Sequence, residues 1–310
     1  GLKAKERRKA GLDAPEIGTF LHYLLENTAR EARLRGGFEC LRREELHGLI
    51  RGYIDRFAAE QLGGLEDKSA RFRYLFNRLK KTAYAIVDNV AAELAVSDFV
   101  PLAFELEFGE KGALPAVSIR SGDTALRVGG KVDRVDGWLK DGKLYLRVVD
   151  YKTGNKAFNL DEVYCGLNTQ MLLYLFTLRS NAAQVYKNPV AAGVLYLAGD
   201  PVLKTGSRAE AAAAPVYKVD GLVLNDELVV RGMDRDATGM FVPFAFGKDG
   251  APRASAKLAS LEKLGNIEKH LDALVVEMAR GLYAGEIDAV PLRTAAHCPC
   301  DVCDYRPVCL

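Results

Sequence analysis

The stretch GGKVDRVDGWLKDGKLYLRVVDYKTG, residues 129–154, decides the fold because it predicts one well-defined β-hairpin. Asp141-Gly142 favours a two-residue turn, and this turn would place Lys140 opposite Lys143. The resulting register joins an aromatic pair, an opposite-charge pair and two aliphatic pairs: Trp138–Tyr145, Asp136–Arg147, Val135–Val148 and Leu139–Leu144. The sequence therefore predicts both strands and their register.

The same register predicts a carboxylate pair near the open end of the hairpin, with Asp133 opposite Asp150. The pair shares a face with the aliphatic pairs, and this apolar face is expected to be buried. Facing carboxylates there repel each other unless a cation binds or one pKa rises. Lys152 follows Asp150 by two residues and lies on the same face. Such a set suits Mg²⁺ or Mn²⁺, with Lys152 positioning or activating a water or stabilising charge on a phosphate oxygen. The alternative is a solvated, inert pair of surface aspartates.

Length and composition indicate a globular protein. The chain has 310 residues, of which 49% are hydrophobic and 27% charged, and these values exclude a disordered chain, collagen and a coiled-coil rod. No apolar run approaches the roughly 18 residues of a membrane span, and the basic first residues lack a signal-peptide core. The net charge of +2 neither requires nor excludes nucleic acid. Because the chain opens without Met inside a charged helical pattern, we interpret it as a fragment of a longer soluble protein.

Apolar periodicity predicts the remaining elements. Helices are expected over residues 17–34, 44–62, 71–96, 160–178 and 257–283. Strands are expected over residues 104–108, 117–120, 125–135, 143–151, 190–197, 219–224 and 240–246, with an insertion loop over residues 204–215. This order predicts an α/β protein with a mixed sheet rather than a dinucleotide-binding alternation of strands and helices.

The pattern G-x-V-D-R-V-D followed by V-V-D-Y-K-T-G resembles the RecB-type PD-(D/E)xK nuclease core. The resemblance implies a restriction-endonuclease-like α/β fold, a mixed central sheet flanked by helices, with an N-terminal helical segment and a Cys-rich C-terminal tail. It implies one nuclease domain in four parts. Residues 1–100 form a helical part with a metal-binding His, residues 101–200 the catalytic core, residues 201–256 an insertion with short strands, and residues 257–310 a helix and the tail.

The resemblance also implies roles for individual residues. The stretch IGTFLH, residues 17–22, looks like the helix that contributes a metal-binding histidine, His22. The metal ligands it implies are His22, Asp133, Asp150 and the backbone carbonyl of Tyr151. Glu105 resembles a further acidic position, for which Glu107 and Glu110 are competitors.

The catalytic set includes a helix that follows the second hairpin strand. Gln170 and Tyr174, in NTQMLLYLF, are four residues apart and so lie on one helical face. The resemblance implies that these two residues orient Lys152 or the DNA strand. The implied catalytic residues are Asp133, Asp150, Lys152, Gln170 and Tyr174.

Four of the six cysteines fall in the last thirteen residues, at Cys298, Cys300, Cys303 and Cys309. Clustering at one end predicts a metal site, and four thiolates are enough for tetrahedral zinc, with His297 as a further possible ligand. The C-x2-C-x5-C spacing of the last three resembles the iron–sulfur nucleases of the AddB/RexB group, whose fourth Cys precedes the His helix. No Cys precedes Cys40 here. We therefore expect a 4Fe–4S cluster in the full-length protein that is incomplete in this fragment, with Cys298 as a substitute ligand, or zinc in its place.

The function that the resemblance implies is a magnesium-dependent DNA exonuclease domain of a bacterial, cytoplasmic helicase–nuclease complex in double-strand break repair and recombination. Its partners would be DNA, single-stranded at the active site, and an AddA-like helicase/nuclease subunit in a heterodimer, with no membrane. The sequence contains no phosphate-binding loop, so an ATP-driven motor would lie elsewhere. Two alternatives stay open: a stand-alone iron–sulfur exonuclease, and a non-catalytic DNA-binding module held by zinc.

Overall fold

Three helices form a layer at the start of the chain. The computed structural model describes residues 14–109, 112–121, 124–152, 158–202, 216–293 and 298–309. Helices α1 (Ala14–Leu34), α2 (Arg43–Glu60) and α3 (Ala70–Ala95) pack around a shared apolar core, and a 3-10 turn at Phe38–Cys40 links the first two. α3 begins where the Ser69 side chain accepts a hydrogen bond from the Phe72 N–H. The buried residues of this layer include Phe20, Leu24, Ile50, Ile54 and Phe76.

A six-stranded mixed sheet forms the second layer. Its strands are β1 (Val100–Phe108), β4 (Gly130–Lys140), β5 (Lys143–Lys152), β6 (Val190–Val202), β7 (Val216–Leu224) and β8 (Leu258–Ala259), hydrogen-bonded in that order. The β5–β6 and β7–β8 pairs are parallel and the others antiparallel. Strands β2 (Val117–Ser121) and β3 (Thr124–Val128) pair separately. The predicted mixed sheet flanked by helices is confirmed.

Helices on the other side of the sheet close the larger core. The parallel β5–β6 pair requires a crossover, which α4 (Leu160–Tyr164) and α5 (Gln170–Ala182) provide. α5 is buried along most of its length, since Met171 to Phe176 all lie in the core. Helix α6 (Glu227–Met233) follows β7, and the long helix α7 (Leu261–Ala284) ends at Gly285, whose φ of 74° suits glycine. No helix within the described ranges is long and apolar enough to cross a membrane.

The hairpin register is confirmed. The observed β4–β5 pairs run from Lys140–Lys143 through Trp138–Tyr145 and Asp136–Arg147 to Arg134–Val149. One further step in this register places Asp133 opposite Asp150. Asp141 and Gly142 form the turn with φ values of 50° and 74°, as a two-residue turn of this type requires.

Four local predictions were wrong. The helix expected over residues 160–178 is two helices, because Gly166 and Asn168 adopt left-handed φ values between them. The strand expected over residues 125–135 is divided at Gly129. Residues 240–246 pack apolar side chains into the core as loop and turns, without a strand. The aliphatic face of the hairpin is not buried throughout, since Leu139 at the turn is 61% exposed.

Two features of the predicted organisation stay predictions. The insertion loop over residues 204–215 lies outside the described residues. The division of the chain into four parts, at residues 100, 200 and 256, also stays a prediction. β7 belongs to the central sheet beside β6, so the region after residue 201 contributes to the same core as the hairpin.

Candidate metal centre

Side chains from α1, β1 and β4 converge at one point. His22 Nδ1 lies 3.0 Å from Glu105 Oε1, and His22 Nε2 lies 3.4 Å from Asp133 Oδ2. These three residues offer ligand atoms that all lie within 4.8 Å of one another. They border an open cleft of about 500 Å³, which Gly18 also lines one turn before His22. Two carboxylates supply the hard oxygen ligands that Mg²⁺ and Mn²⁺ prefer, so the donor set fits the predicted metal.

Each of the three side chains is held by a different kind of local structure. His22 lies on α1 between Leu21 and Leu24, whose burial fixes the rotation of the helix. Glu105 lies on β1 opposite Asp133, between the observed pairs Phe104–Arg134 and Leu106–Val132. The φ of Glu105 is 49°, a left-handed value inside a strand that costs roughly 1–3 kcal/mol. This strained backbone directs the Glu105 carboxylate to His22.

Asp133 is anchored by the neighbouring strand. Its Oδ2 accepts a hydrogen bond of 2.9 Å from the Tyr151 N–H. Asp150, the facing carboxylate, lies outside the group of three close ligand atoms, but its charge acts on Asp133 and on His22. On the other side of β5, the neighbouring strand β6 places Tyr196 beside Asp150 in the parallel register. The structure thus brings Asp133 together with His22 and Glu105, and places Asp150 in electrostatic range of them.

Burial and neighbouring charges raise the pKa values of Asp133 and His22 and lower the pKa of Glu105. Burial raises the pKa of Asp133 to about 6, His22 opposes that rise, and Asp150 adds to it. Burial lowers the pKa of His22, but its hydrogen bond with Glu105 and the charge of Asp133 outweigh burial, so the net shift is upward. For Glu105 burial raises the pKa, and the hydrogen bonds with His22 and Lys131 outweigh it, so the net shift is downward. The carboxylates of Glu105, Asp133 and Asp150 thus act on one another or on His22, and a divalent cation would offset this concentration of negative charge.

The other predicted site residues are placed less directly. Lys152 ends β5 and pairs with Ala198, and its side chain lies outside the described residues. The Tyr151 ring lies 6.2 Å from the His22 ring, and its hydroxyl accepts a hydrogen bond from Arg134. No contact among the described residues tests the prediction that the Tyr151 carbonyl is a metal ligand. Glu107 is exposed and does not join the close group, and Glu110 lies outside the described residues.

Gln170 and Tyr174 contact each other rather than the metal-ligand candidates. Gln170 Nε2 donates a hydrogen bond of 2.7 Å to the Tyr174 hydroxyl. The Tyr174 ring stacks on Phe108 at 5.1 Å, and its hydroxyl lies over Gly130. A Cβ at position 130 would lie 1.5 Å from that oxygen, so only glycine permits this approach at the start of β4. Tyr174 therefore supports the strand that carries Asp133, three residues further on.

A buried ion network behind the site was missing from the sequence-based interpretation. Glu93 of α3 pairs with Arg134 and Arg147, which also pair with Asp136, and all four side chains are at most 1% exposed. Arg134 Nη1 reaches the Tyr151 hydroxyl at 2.9 Å. Asp136–Arg147 was predicted as an ordinary cross-strand pair. The sequence did contain a signal for this network, because Arg134 and Asp136 are two residues apart on β4, among apolar residues, and so lie on one face of that strand.

A second buried contact fixes the chain beyond Lys152. Phe158 is the first described residue after residues 153–157, and its N–H donates to Asp220 Oδ2 at 3.1 Å. Lys257 Nζ donates to the Phe158 carbonyl at 2.6 Å and also pairs with Asp220 at 2.6 Å. Asp220 and Lys257 therefore hold both polar groups of the Phe158 backbone.

The cysteine tail is described only in part. Cys298, Cys303 and Cys309 flank short turns, and a hydrogen bond with Cys298 raises the pKa of the Cys300 thiol. Cys303 and Cys309 are exposed. His297, the further possible ligand, lies outside the described residues. The nature of the metal or cluster in this tail stays a prediction.

Comparison with known proteins gives a consistent family. The family model described as the PD-(D/E)XK nuclease superfamily matches residues 1–310. The chain is similar to proteins named as a subunit of an ATP-dependent helicase/deoxyribonuclease, from Clostridium tetani with 30% identity, and from Acetivibrio thermocellus and Clostridium novyi with 31% identity each. These alignments cover 100% of the chain and 28% of each relative. The chain thus spans a little over a quarter of the length of these relatives.

Proposed function

Because the chain belongs to the PD-(D/E)XK nuclease superfamily, we propose that it hydrolyses phosphodiester bonds in DNA with a divalent metal, Mg²⁺ or Mn²⁺. The observation that carries this proposal is the convergence of His22, Glu105 and Asp133 beside an open cleft. Their donor atoms come from three separate elements, and the two carboxylates supply the oxygen ligands that a divalent cation prefers.

We assign the metal to His22, Asp133, Asp150 and the Tyr151 carbonyl, with Glu105 as an additional ligand. A bound Mg²⁺ would supply Lewis-acid polarisation of the scissile phosphate. The Tyr151 N–H holds the Asp133 carboxylate, and Glu105 orients the His22 imidazole. Lys152 would position or deprotonate the attacking water, or stabilise the charge that develops on a phosphate oxygen. Tyr174 supports β4, and Gln170 fixes the Tyr174 hydroxyl.

We further propose that this domain acts within a helicase–nuclease complex in double-strand break repair and recombination. The support is the similarity to proteins named as helicase/deoxyribonuclease subunits. In this proposal a single DNA strand enters the site as an exonuclease substrate, and a helicase/nuclease subunit is the partner in a heterodimer. DNA as substrate and the bacterial relatives favour action in the cytoplasm.

The tail would hold a 4Fe–4S cluster in the full-length protein. Cys300, Cys303 and Cys309 would supply three thiolates by their spacing. Cys298 is the local candidate for the fourth, since its thiol contacts Cys300. Iron analysis and an absorption spectrum of the 310-residue chain test the expectation that it lacks a stoichiometric four-iron cluster, and a full four-iron signal would contradict it.

Metal removal tests the nuclease function directly. Single-stranded DNA should be cleaved by the full-length protein in Mg²⁺, cleavage should stop in excess chelator, and added Mg²⁺ or Mn²⁺ should restore it. Titration calorimetry of Mg²⁺ into the chelator-treated protein gives a readout independent of turnover. Cleavage that persists after complete chelation, at the rate measured with metal, would contradict the proposed mechanism.

A further inference from the structure

A second cleft adjoins the metal centre along α1. It measures about 460 Å³ and lies between α1 and the edge strand β1. Glu105 lines both clefts. At the same boundary Glu26, which lines the first cleft, pairs at 2.7 Å with Arg30, which lines the second. The two clefts therefore adjoin at Glu105 and at the Glu26–Arg30 pair, and we refer to the two together as the groove.

The helix places its cationic residues in line with the metal ligand. Arg33 follows His22 by eleven residues, which is about three helical turns, so both side chains leave nearly the same side of α1. The rise over that distance is about 16 Å. Arg33 is exposed, and its Nη1 lies 3.4 Å and 3.5 Å from the carbonyls of Pro101 and Leu102 on the edge strand. These contacts hold the guanidinium at the wall of the groove.

The floor of the groove is apolar and partly aromatic. Leu102 is 42% exposed and Phe104 is partly buried, and both line the second cleft. The acidic side chains of its lining are Glu105 and Glu107. Glu105 contacts Lys131, and Glu107 also lies within electrostatic range of that lysine. The second cleft thus has arginines at its wall and apolar residues at its floor. Its two carboxylates, Glu105 and Glu107, lie near Lys131.

We infer that this groove binds the sugar–phosphate backbone of a single DNA strand a few nucleotides from the scissile bond, with Arg33, assisted by Arg30, as its phosphate contact. Cationic walls that follow the backbone and aromatic or apolar surfaces for the bases are how proteins hold single strands without sequence preference. The inference rests on the proposed function for the identity of the occupant. It adds the direction in which the strand leaves the metal centre, along α1 towards its C-terminal end.

The salt dependence of binding tests the groove without relying on cleavage. In the full-length protein without metal, the affinity for an oligothymidylate is measured by fluorescence anisotropy across a salt series. Arg33→Ala should reduce the slope of log K against log salt by about 0.7, which corresponds to about fivefold weaker binding at 0.1 M salt. Arg33→Lys keeps the charge and should keep the slope. Arg35→Ala is the matched control, because Arg35 is paired with Glu31, follows the last residue of α1 and lines neither cleft.

The outcomes separate this inference from the nuclease function. A slope reduced by Arg33→Ala, with Arg33→Lys and Arg35→Ala unchanged and all Tm values equal, supports the groove whether or not the protein cleaves DNA. An unchanged slope in Arg33→Ala, or an equal reduction in Arg35→Ala, overturns the groove while metal-dependent cleavage can still stand. In cleavage assays the supported groove should give a higher KM for long strands in Arg33→Ala, with an unchanged KM for a dinucleotide.

Discussion

Asp133→Asn is expected to reduce DNA cleavage by the full-length protein on the order of a thousandfold, because the variant removes a charged ligand of the proposed metal. Calorimetry should show weakened Mg²⁺ binding in the same variant. Lys152→Ala should lose cleavage to a similar extent while it retains Mg²⁺ binding, since Lys152 is proposed to act on the water or the phosphate. The exposed Asp236 provides the control, and Asp236→Asn should leave both measurements unchanged.

The same Asp133 substitution should stabilise the metal-free protein. Burial raises the pKa of Asp133 to about 6, so its charged form is disfavoured in the fold. The stability that this carboxyl contributes is present below about pH 4 and is lost as the pH rises through about 6, a loss of up to about 3 kcal/mol at pH 8. The Tm of Asp133→Asn should therefore exceed that of the wild type at pH 8, with a smaller difference at pH 5. A lower Tm at pH 8, or full cleavage activity, would contradict the assignment.

Glu93→Gln is expected to lower the free energy of unfolding by about 3–5 kcal/mol, because it leaves two buried arginines with a single buried carboxylate. Glu93 is 1% exposed and pairs with both Arg134 and Arg147. Denaturant titration measures the change. Glu31→Gln breaks an exposed pair with Arg35 on a helix surface and should cost only about 0.3–0.5 kcal/mol. Equal losses in the two variants would show that the network does not behave as a buried charge cluster.

The hairpin could be predicted because its information is local. Asp141-Gly142 permits the left-handed turn, and each facing pair could be checked within the single stretch of residues 129–154. Gly166 and Asn168 carried comparable information about the break between α4 and α5, but the apolar periodicity on both sides concealed it. The loop over residues 240–246 shows the converse case. Phe241, Val242 and Phe244 are buried, yet no neighbouring strand within the described ranges continues the sheet there.

The site residues could be predicted only from the alternation of residues along the strands and from the resemblance to the nuclease core. Glu105 and Glu107 have the same parity along β1, so alternation does not separate them. The tertiary structure does separate them, because Glu105 contacts His22 of α1, 83 residues away in sequence, whereas Glu107 is exposed. The Glu93 network is also long-range, because its contacts span 41 and 54 residues and its helix and strands are brought together by packing.

The separation between His22 and the strand ligands has a consequence for the order of folding. The hairpin closes through contacts between neighbouring residues, whereas the His22–Glu105 contact spans 83 residues and requires the helical layer to dock on the sheet. Contacts of high sequence separation form late, after the loop-closure entropy has been met. A refolding chain would therefore form its acidic hairpin before His22 docks against it. The metal would then bind only after the helical layer has docked on the sheet. A partly folded chain would therefore not cleave DNA.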